Sequence, residues 1–223
     1  MTQLTPVSLS IQPATYHALT FYIAEELGYF KELGLDVTFK TYPSGAPQVA
    51  DAVDNKAWDV GAAGVVPNIL GWSKTPVIET IGISNDESAT NALAANAQGV
   101  VEWSALVAAG GLGETKVLIT PNSTGQFAAE ECLMHFGIDY DAGTNFIYTG
   151  QPTVIAGMTE VGLADYGSLW APNTYSLVEN DKGAEIVCNG TTAGAHVPGG
   201  LMMRKEFGEE HPDLVKKVSC CLL

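Results

Sequence analysis

Residues 22–37 read YIAEELGYFKELGLDV and join a helical pattern to a strand pattern. Apolar side chains recur at helical spacing on both sides of residue 22, which predicts one helix over residues 17–31. Gly34 is a typical end for such a helix. The alternation of apolar and polar residues that follows predicts a strand over residues 35–42. A helix that leads through a short turn into a strand is half of a βαβ unit, so this segment indicates α/β structure.

The same alternation of strands and helices continues on both sides of this segment. A strand is predicted before it, over residues 7–12. The helices predicted after it cover residues 46–56, 66–72, 124–136 and 154–160, with one more beginning at residue 212, and the strands cover residues 59–63, 77–83, 116–120, 145–149, 163–166, 185–188 and 199–203. Because helix-length connections separate successive strands, we expect parallel pairing.

Residues 85–99 interrupt the alternation with small and polar side chains. We expect either a short helix over residues 87–97 or a connection between lobes. Two successive α/β blocks meet at this point, which indicates two lobes. The predicted fold class is therefore α/β, with residues 1–86 and 196–223 forming lobe 1 and residues 87–195 forming lobe 2.

The composition excludes several kinds of partner. The chain has 223 residues, 25 acidic side chains against 10 basic ones and a net charge of −15, and its one arginine is Arg204. Nucleic-acid binding needs clustered cations along a phosphate backbone, and adsorption to an anionic membrane needs them too. The longest apolar runs are too short to span a bilayer. The net charge favours neutral or cationic ligands over anions.

The four cysteines show no metal-ligand spacing. Free cysteine is usually a small buried hydrophobe, so inert thiols are expected, and Cys132 and Cys188 would pair only if the fold brought them close. Cys220 and Cys221 rarely bridge as neighbours. With the two leucines that follow they formally match a prenylation box, but four residues are a short match and we expect a coincidence.

No catalytic or metal-binding motif is present. The sequence lacks the H-E-x-x-H pattern, the G-x-S-x-G pattern and a phosphate-binding Gly-Lys-Ser/Thr loop. The glycines of residues 110–113 are expected to form a turn. The sequence therefore predicts no metal, no cofactor and no enzymatic activity.

The segment from residue 22 to 37 resembles the first helix and second strand of the solute-binding proteins of ABC importers. The group is the nitrate/sulfonate/taurine branch, also called NMT1/THI5-like. Further matching blocks follow in the family's order: residues 58–61 (WDVG) with Pro67, residues 121–125 (PNSTG), Asp165 with residues 170–172 (WAP), residues 200–207 (GLMMRKEF) and residues 211–215 (HPDLV). This resemblance covers nearly the whole chain. It implies a two-lobed periplasmic-binding-protein-like II fold with a ligand cleft between the lobes.

The sequence departs from the family pattern in two places. Family members continue well beyond the helix of residues 211–215, so this chain resembles a C-terminally shortened member in which lobe 1 is incomplete. Residues 85–113 also match poorly. The family's strand after the hinge is recognisable there only as residues 105–109.

Candidate ligand contacts lie where strands lead into helices, because ligands of open α/β sheets bind beyond the carboxyl ends of the strands. Ser123 and Thr124 begin a helix, whose free N–H groups and hydroxyls suit an anion or a carbonyl; the alternative is that one of them is an ordinary N-cap. Asp86 would pair with a cationic ligand group, or else is merely solvated. The full set is Gln12, Thr15, Tyr16, His17, Gly64 and Val65 in lobe 1, Asp86 at the crossover, and Asn122, Ser123, Thr124 and Trp170 in lobe 2.

The resemblance implies a periplasmic or otherwise extracytoplasmic receptor, although the first residues show no leader and leave a cytoplasmic location open. It would close around its hinge on a small polar or zwitterionic organic molecule, such as a sulfonate, taurine-like compound, amine or N-heterocycle. The membrane subunits of an ABC importer would be its partners, and we expect a monomer or weak dimer. Two alternatives remain. One is an enzyme similar to those that make the thiamin pyrimidine, whose cysteine-rich iron motif is missing here. The other is a truncated descendant that binds a protein or dimerises through an exposed lobe surface.

Overall fold

The computed structural model describes residues 4–222, and for Pro152, Cys221 and Leu222 only the backbone. Leu223, the last residue of the formal prenylation box, lies outside the described residues. The chain divides into two compact units. Unit 1 contains the residues up to Asn85 and from Pro198 onward, and unit 2 contains Asp86–Val197. Each unit is built on its own five-stranded sheet with helices. The predicted α/β class is confirmed.

The strands are β1 (Thr5–Ile11), β2 (Leu35–Thr41), β3 (Val60–Gly64), β4 (Ile78–Asp86), β5 (Ala92–Ala95), β6 (Val117–Ile119), β7 (Phe146–Tyr148), β8 (Tyr166–Leu169), β9 (Glu185–Asn189) and β10 (Pro198–Arg204). The helices are α1 (Tyr16–Glu26), α2 (Tyr29–Glu32), α3 (Gly45–Asn55), α4 (Val65–Lys74), α5 (Ala97–Ala109), α6 (Thr124–His135), α7 (Ala142–Asn145), α8 (Gln151–Thr159), α9 (Asn173–Asn180), α10 (Gly190–Ala193), α11 (Lys205–Glu210) and α12 (Pro212–Leu222).

The sheet of unit 1 has the strand order β2-β1-β3-β10-β4. Strand β1 runs parallel to β2 and β3, as the alternation predicts. Strand β10 returns antiparallel to β3 and places Gly199 opposite Gly64. One end of the sheet, edge 1, therefore combines the carboxyl ends of β1, β2 and β3 with the beginning of β10.

The sheet of unit 2 has the strand order β7-β6-β8-β5-β9. Strand β6 is parallel to β7 and β8, so these three strands end on the same side. Strand β5 runs antiparallel to β8 and β9, with Ala92 opposite both Leu169 and Asn189. The end of this sheet where β6, β7 and β8 finish, edge 2, is followed directly by the starts of α6, α8 and α9.

Buried side chains fill a core in each unit. In unit 1, Trp58 is fully buried and its indole N–H donates to the Gln48 carbonyl at 2.8 Å. In unit 2, Tyr166 is buried and its hydroxyl donates to the Gly99 carbonyl at 2.7 Å. Each large polar-tipped aromatic thus has a partner for its polar atom, as burial requires.

Several local predictions are wrong. The single helix over residues 17–31 is split into α1 and α2, because Gly28 adopts the left-handed conformation with φ of 78°. The strand expected at residues 105–109 belongs to α5. Of the two alternatives for residues 87–97, the short helix is wrong, because β5 lies there. The strand expected at residues 163–166 begins only at its last residue, since β8 extends from there to Leu169.

The expectation of inert thiols is wrong for two of the four cysteines. Cys132 on α6 and Cys188 on β9 form a disulfide with a Cα–Cα distance of 5.8 Å. Helix α6 packs against β9, which brings the two residues together. Cys220 is free and exposed. The disulfide therefore fixes α6, the helix that begins at edge 2, to β9, which is an outermost strand of the same sheet.

None of the helices described between residues 4 and 222 is both long and apolar enough to cross a membrane.

Candidate functional site

At edge 1, Gln12 follows β1 and is held in a buried hydrogen-bond network. Its Nε2 donates to Gln48 Oε1 at 3.0 Å, and Gln48 Nε2 donates to Ser10 Oγ at 2.8 Å and to the Ala62 carbonyl at 3.1 Å. All partners in this network are neutral. Gln48 was not among the predicted site residues, yet a signal exists: it occupies a buried position of α3 beside Val49, where an apolar residue is the norm.

The other predicted residues of unit 1 lie around the start of α1 and the end of β3. Thr15 precedes α1 and its hydroxyl donates to the Gln12 carbonyl at 2.7 Å. Tyr16 is half exposed, whereas His17 is buried. Gly64 ends β3 and Val65 begins α4 at the same edge. The structure thus places all six predicted residues of unit 1 at edge 1.

Three polar side chains of unit 1 converge on Gly199, and we refer to them as the Gly199 cluster: His17, Ser84 and Asn85. A Cβ atom at Gly199 would lie 2.1 Å from Asn85 Oδ1, 2.6 Å from Ser84 Oγ and 2.8 Å from His17 Nδ1. The Ser84 hydroxyl donates to Asn85 Oδ1 at 2.6 Å. Only a glycine lets these groups approach the strand so closely. Of the four residues, sequence reasoning identified only His17.

Asp86 is an exposed residue at the end of β4. Its carboxylate accepts hydrogen bonds from the hydroxyl and the backbone N–H of Ser88, the latter at 2.9 Å. These bonds hold the pKa of the Asp86 carboxyl below its ordinary value. The carboxylate is therefore ionised at neutral pH and organises the turn that follows β4.

At edge 2, the start of α6 has the geometry of a capped helix. The Ser123 hydroxyl accepts a hydrogen bond from the Gln126 N–H at 3.0 Å and donates to the Thr120 carbonyl at 2.7 Å. Asn122 has a positive φ of 57°, and its N–H donates to Gln126 Oε1 at 2.8 Å. Ser123 is thus the N-cap, one of the two alternatives that the sequence left open, and its hydroxyl is already engaged.

The next two backbone N–H groups of α6 are the ones available to a ligand. No residue in the described part of the chain accepts a hydrogen bond from the N–H of Thr124 or Gly125. Such orphan donors at a helix start, together with the helix dipole, favour the acceptor atoms of a ligand. Thr124 is itself buried and adds a hydroxyl.

Trp170 lies over this helix start. Its ring is so close to α6 that a Cβ atom at Gly125 would be 3.0 Å from Trp170 Cε3. Trp170 follows β8 directly and is partly exposed. The side chain therefore forms a flat apolar wall beside the free N–H groups of Thr124 and Gly125.

The position of the arginine decides which charged partners edge 1 offers a ligand. Arg204, the one arginine of the chain, ends β10 at the opposite end from Gly199. Its guanidinium binds the Asp59 carboxylate at 2.9 Å and the Trp58 carbonyl at 2.8 Å. Edge 1 therefore has no arginine. Within residues 4–222, no group of three or more His, Cys, Asp or Glu side chains is arranged to hold a metal ion.

The fold is that of periplasmic binding proteins. The structure resembles the alkanesulfonate-binding protein SsuA from Xanthomonas axonopodis pv. citri bound to MOPS, with a TM-score of 0.79 and 18% identity, covering 100% of this chain and 73% of that one. It also resembles the periplasmic aliphatic sulphonate binding protein SsuA from Escherichia coli, with a TM-score of 0.76 and 15% identity, covering 98% of this chain and 71% of that one.

Residues 14–218 match the family model described as NMT1/THI5 like. A Bacillus subtilis (strain 168) protein that is named for aliphatic sulfonate binding is 30% identical over 218 residues. The match covers 96% of this chain and 62% of that protein, so the chain spans less than two thirds of its relative's length. The chain belongs to the NMT1/THI5 like family. The relatives named here are described as binding proteins.

Proposed function

We propose that this chain is the solute-binding receptor of an ABC importer and captures a small polar or zwitterionic organic molecule. The observation that carries the proposal is the start of α6, where the N–H groups of Thr124 and Gly125 have no partner among the described residues and lie beside the Trp170 ring. An acceptor group of the ligand would meet the N–H groups, and its apolar body would lie against the ring. The relatives named for sulfonate binding support a ligand of this shape.

The charges of the protein restrict the chemical class of the proposed ligand further. Because Arg204 is engaged by Asp59 and lies away from edge 1, an acidic group of the ligand would be held by N–H groups and hydroxyls instead of a salt bridge. The net charge of −15 disfavours the approach of simple anions. We therefore propose an organic ligand in which any negatively charged group is balanced by a positively charged group of the same molecule. In unit 1, the proposed ligand contacts remain Gln12, Thr15, Tyr16, His17, Gly64 and Val65. Asp86, the first residue of unit 2, remains the proposed contact for a cationic group.

The proposal includes a location outside the cytoplasm and no catalytic role. A disulfide such as Cys132–Cys188 persists in oxidising compartments and is rare in the cytosol, which supports this location. The relative from Escherichia coli is described as periplasmic. The partners would be the membrane subunits of the importer, and the receptor would act as a monomer or weak dimer.

Trp170→Ala is expected to weaken ligand binding by about ten- to a hundredfold, since the loss of an aromatic wall costs about 1.5–3 kcal/mol. Isothermal titration calorimetry against taurine, alkanesulfonates, nitrate, pyrimidines and small amines measures this change once a binder is found. Trp72→Ala is the matched control, because Trp72 is 60% exposed on α4 and belongs to neither proposed set of contacts.

Four results would contradict the receptor proposal or its site. No heat from any compound, with circular dichroism showing a folded protein, would remove the receptor function. Equal affinity of Trp170→Ala and the native chain would remove Trp170 from the site. Iron or a covalently attached product that copurifies with the chain would favour the enzyme alternative, and a concentration-dependent dimer in size-exclusion chromatography without ligand binding would favour the interaction module.

A further inference from the structure

Three buried polar side chains at edge 2 each leave one polar atom without a partner. They are Thr120, which follows β6, Gln151, which begins α8, and Thr174, in the first turn of α9. Their exposed fractions are 3%, 4% and 0%. Throughout the described part of the chain, no group hydrogen-bonds to Thr120 Oγ1, Gln151 Oε1 or Thr174 Oγ1. Buried polar atoms nearly always have a hydrogen-bond partner. Three buried atoms without one at the same edge of a sheet therefore point to a ligand that forms hydrogen bonds with them.

Hydrogen bonds place the three side chains around the Trp170 loop. Gln151 Nε2 lies 3.5 Å from the Trp170 carbonyl, and the Thr174 N–H donates to the same carbonyl at 3.3 Å. Thr120 is on the neighbouring strand, where its N–H donates to Ser168 Oγ at 3.3 Å. The three residues therefore surround the loop that carries the proposed aromatic wall.

The unpartnered atoms differ in what they can bind. A threonine hydroxyl donates or accepts, whereas the amide oxygen of glutamine only accepts. Because the amide nitrogen of Gln151 faces the Trp170 carbonyl, its oxygen Oε1 is the atom left for a ligand. A sulfonate or nitrate group presents acceptors alone and cannot donate a hydrogen bond to this oxygen. An ammonium, amine, amide or hydroxyl group can.

We propose that Gln151 is a specificity-determining residue that selects ligands carrying an N–H or O–H donor close to their acceptor group. The inference rests on the proposed receptor function and refines it: amino- or hydroxy-substituted organic acids are preferred over their unsubstituted analogues. The hydroxyls of Thr120 and Thr174 donate to the acceptor end of the same ligand. A site with a buried acceptor discriminates strongly against an analogue without the matching donor, since the acceptor is then left unpaired.

Calorimetry with a matched series of ligands tests this role. The series is ethanesulfonate, 2-hydroxyethanesulfonate and 2-aminoethanesulfonate, which differ in the presence and kind of donor on carbon 2; the ammonium donor of the third also carries a positive charge. The native chain is expected to bind the two donor-bearing compounds at least about tenfold more tightly than ethanesulfonate. In Gln151→Met, which keeps the length of the side chain and removes its acceptor, that ratio falls to near one while the affinity for ethanesulfonate is retained. Gln98→Met is the matched control, since Gln98 is an exposed residue on α5 that bonds to Glu102.

The outcomes separate the inference from the proposed function. Equal binding of all three sulfonates to the native chain overturns the role of Gln151 and leaves the receptor proposal standing. An equal loss of affinity for all three in Gln151→Met also overturns it, because an enclosed water or a purely structural role would act in that way. Absence of binding by the wider panel of compounds contradicts the receptor proposal itself. If a compound other than a sulfonate binds, the same ratio is measured for it and for its analogue with the donor replaced by methyl.

A second variant guards against a folding defect. Gln151→Glu keeps the length and the acceptor and adds a negative charge, so it is expected to shift preference towards the ammonium compound over the hydroxyl compound. An unchanged ratio between these two ligands in a folded Gln151→Glu protein would contradict direct contact between this side chain and the ligand donor.

Discussion

Reduction of the Cys132–Cys188 disulfide is expected to lower the free energy of unfolding of unit 2 by about 4 kcal/mol. The two cysteines are separated by 56 residues, and a cross-link over such a distance removes much of the conformational entropy of the unfolded chain. Urea denaturation with and without a reductant, followed by tryptophan fluorescence, measures the change. The double variant Cys132→Ala/Cys188→Ala should show a similar loss without any reductant.

The control for this experiment is the remaining described cysteine. Cys220 is free and exposed, so Cys220→Ser should leave the free energy of unfolding within about 0.5 kcal/mol of that of the native chain. Identical unfolding curves of the oxidised and reduced native protein would show that the cross-link contributes nothing. Because the disulfide fixes α6, we also expect reduction to weaken ligand binding at edge 2.

Gly199→Ala is expected to destabilise unit 1 by about 1–3 kcal/mol and to weaken ligand binding at least about tenfold. The new methyl group would lie 2.1 Å from Asn85 Oδ1 and 2.6 Å from Ser84 Oγ, so the Gly199 cluster must move apart. His17, one of the proposed ligand contacts, would move with it. Thermal unfolding and calorimetry measure the two effects separately.

The matched control is Gly82→Ala in the same sheet. A Cβ atom at Gly82 would meet Leu201 Cδ1 at 3.4 Å, which is ordinary contact, and we expect a change within about 0.5 kcal/mol. If Gly199→Ala showed native stability and native affinity, the cluster would be neither tightly packed nor part of the site. A loss of stability with unchanged affinity would confine the cluster to a structural role.

The alternation of strands and helices could be predicted because each element carries its own periodic pattern. Strands β1 and β2 and helix α3 follow patterns of this kind, and the N-cap Ser123 is a local signal that any helix start would show. Strand β5 could not be found in this way. Its four residues, Ala92–Ala95, are buried on both faces, so they show no alternation, and short runs of alanine and leucine also suit a helix.

The candidate site was predicted only where it depends on local sequence. Thr15, Ser123 and Trp170 precede or follow predicted elements. In the structure Thr15 and Ser123 are the N-caps of α1 and α6, and Trp170 directly follows β8. The Gly199 cluster brings residues from two segments together on a third, that of Gly199, and no spacing along the chain reveals that they meet. The disulfide could not be predicted either, since the pairing of cysteines depends on tertiary structure and not on their separation along the chain.

The three helices that begin at edge 2 each direct the positive end of a helix dipole to that edge, and titration cannot remove it. Each helix start carries about half a positive charge from aligned peptide dipoles, and peptide groups neither gain nor lose protons in the physiological range. A lysine or histidine in the same place would change its charge with pH or with burial. An acceptor group bound at the start of α6 would therefore be held by a dipole that does not change with the acidity of the surroundings, which would suit the proposed receptor outside the cytoplasm.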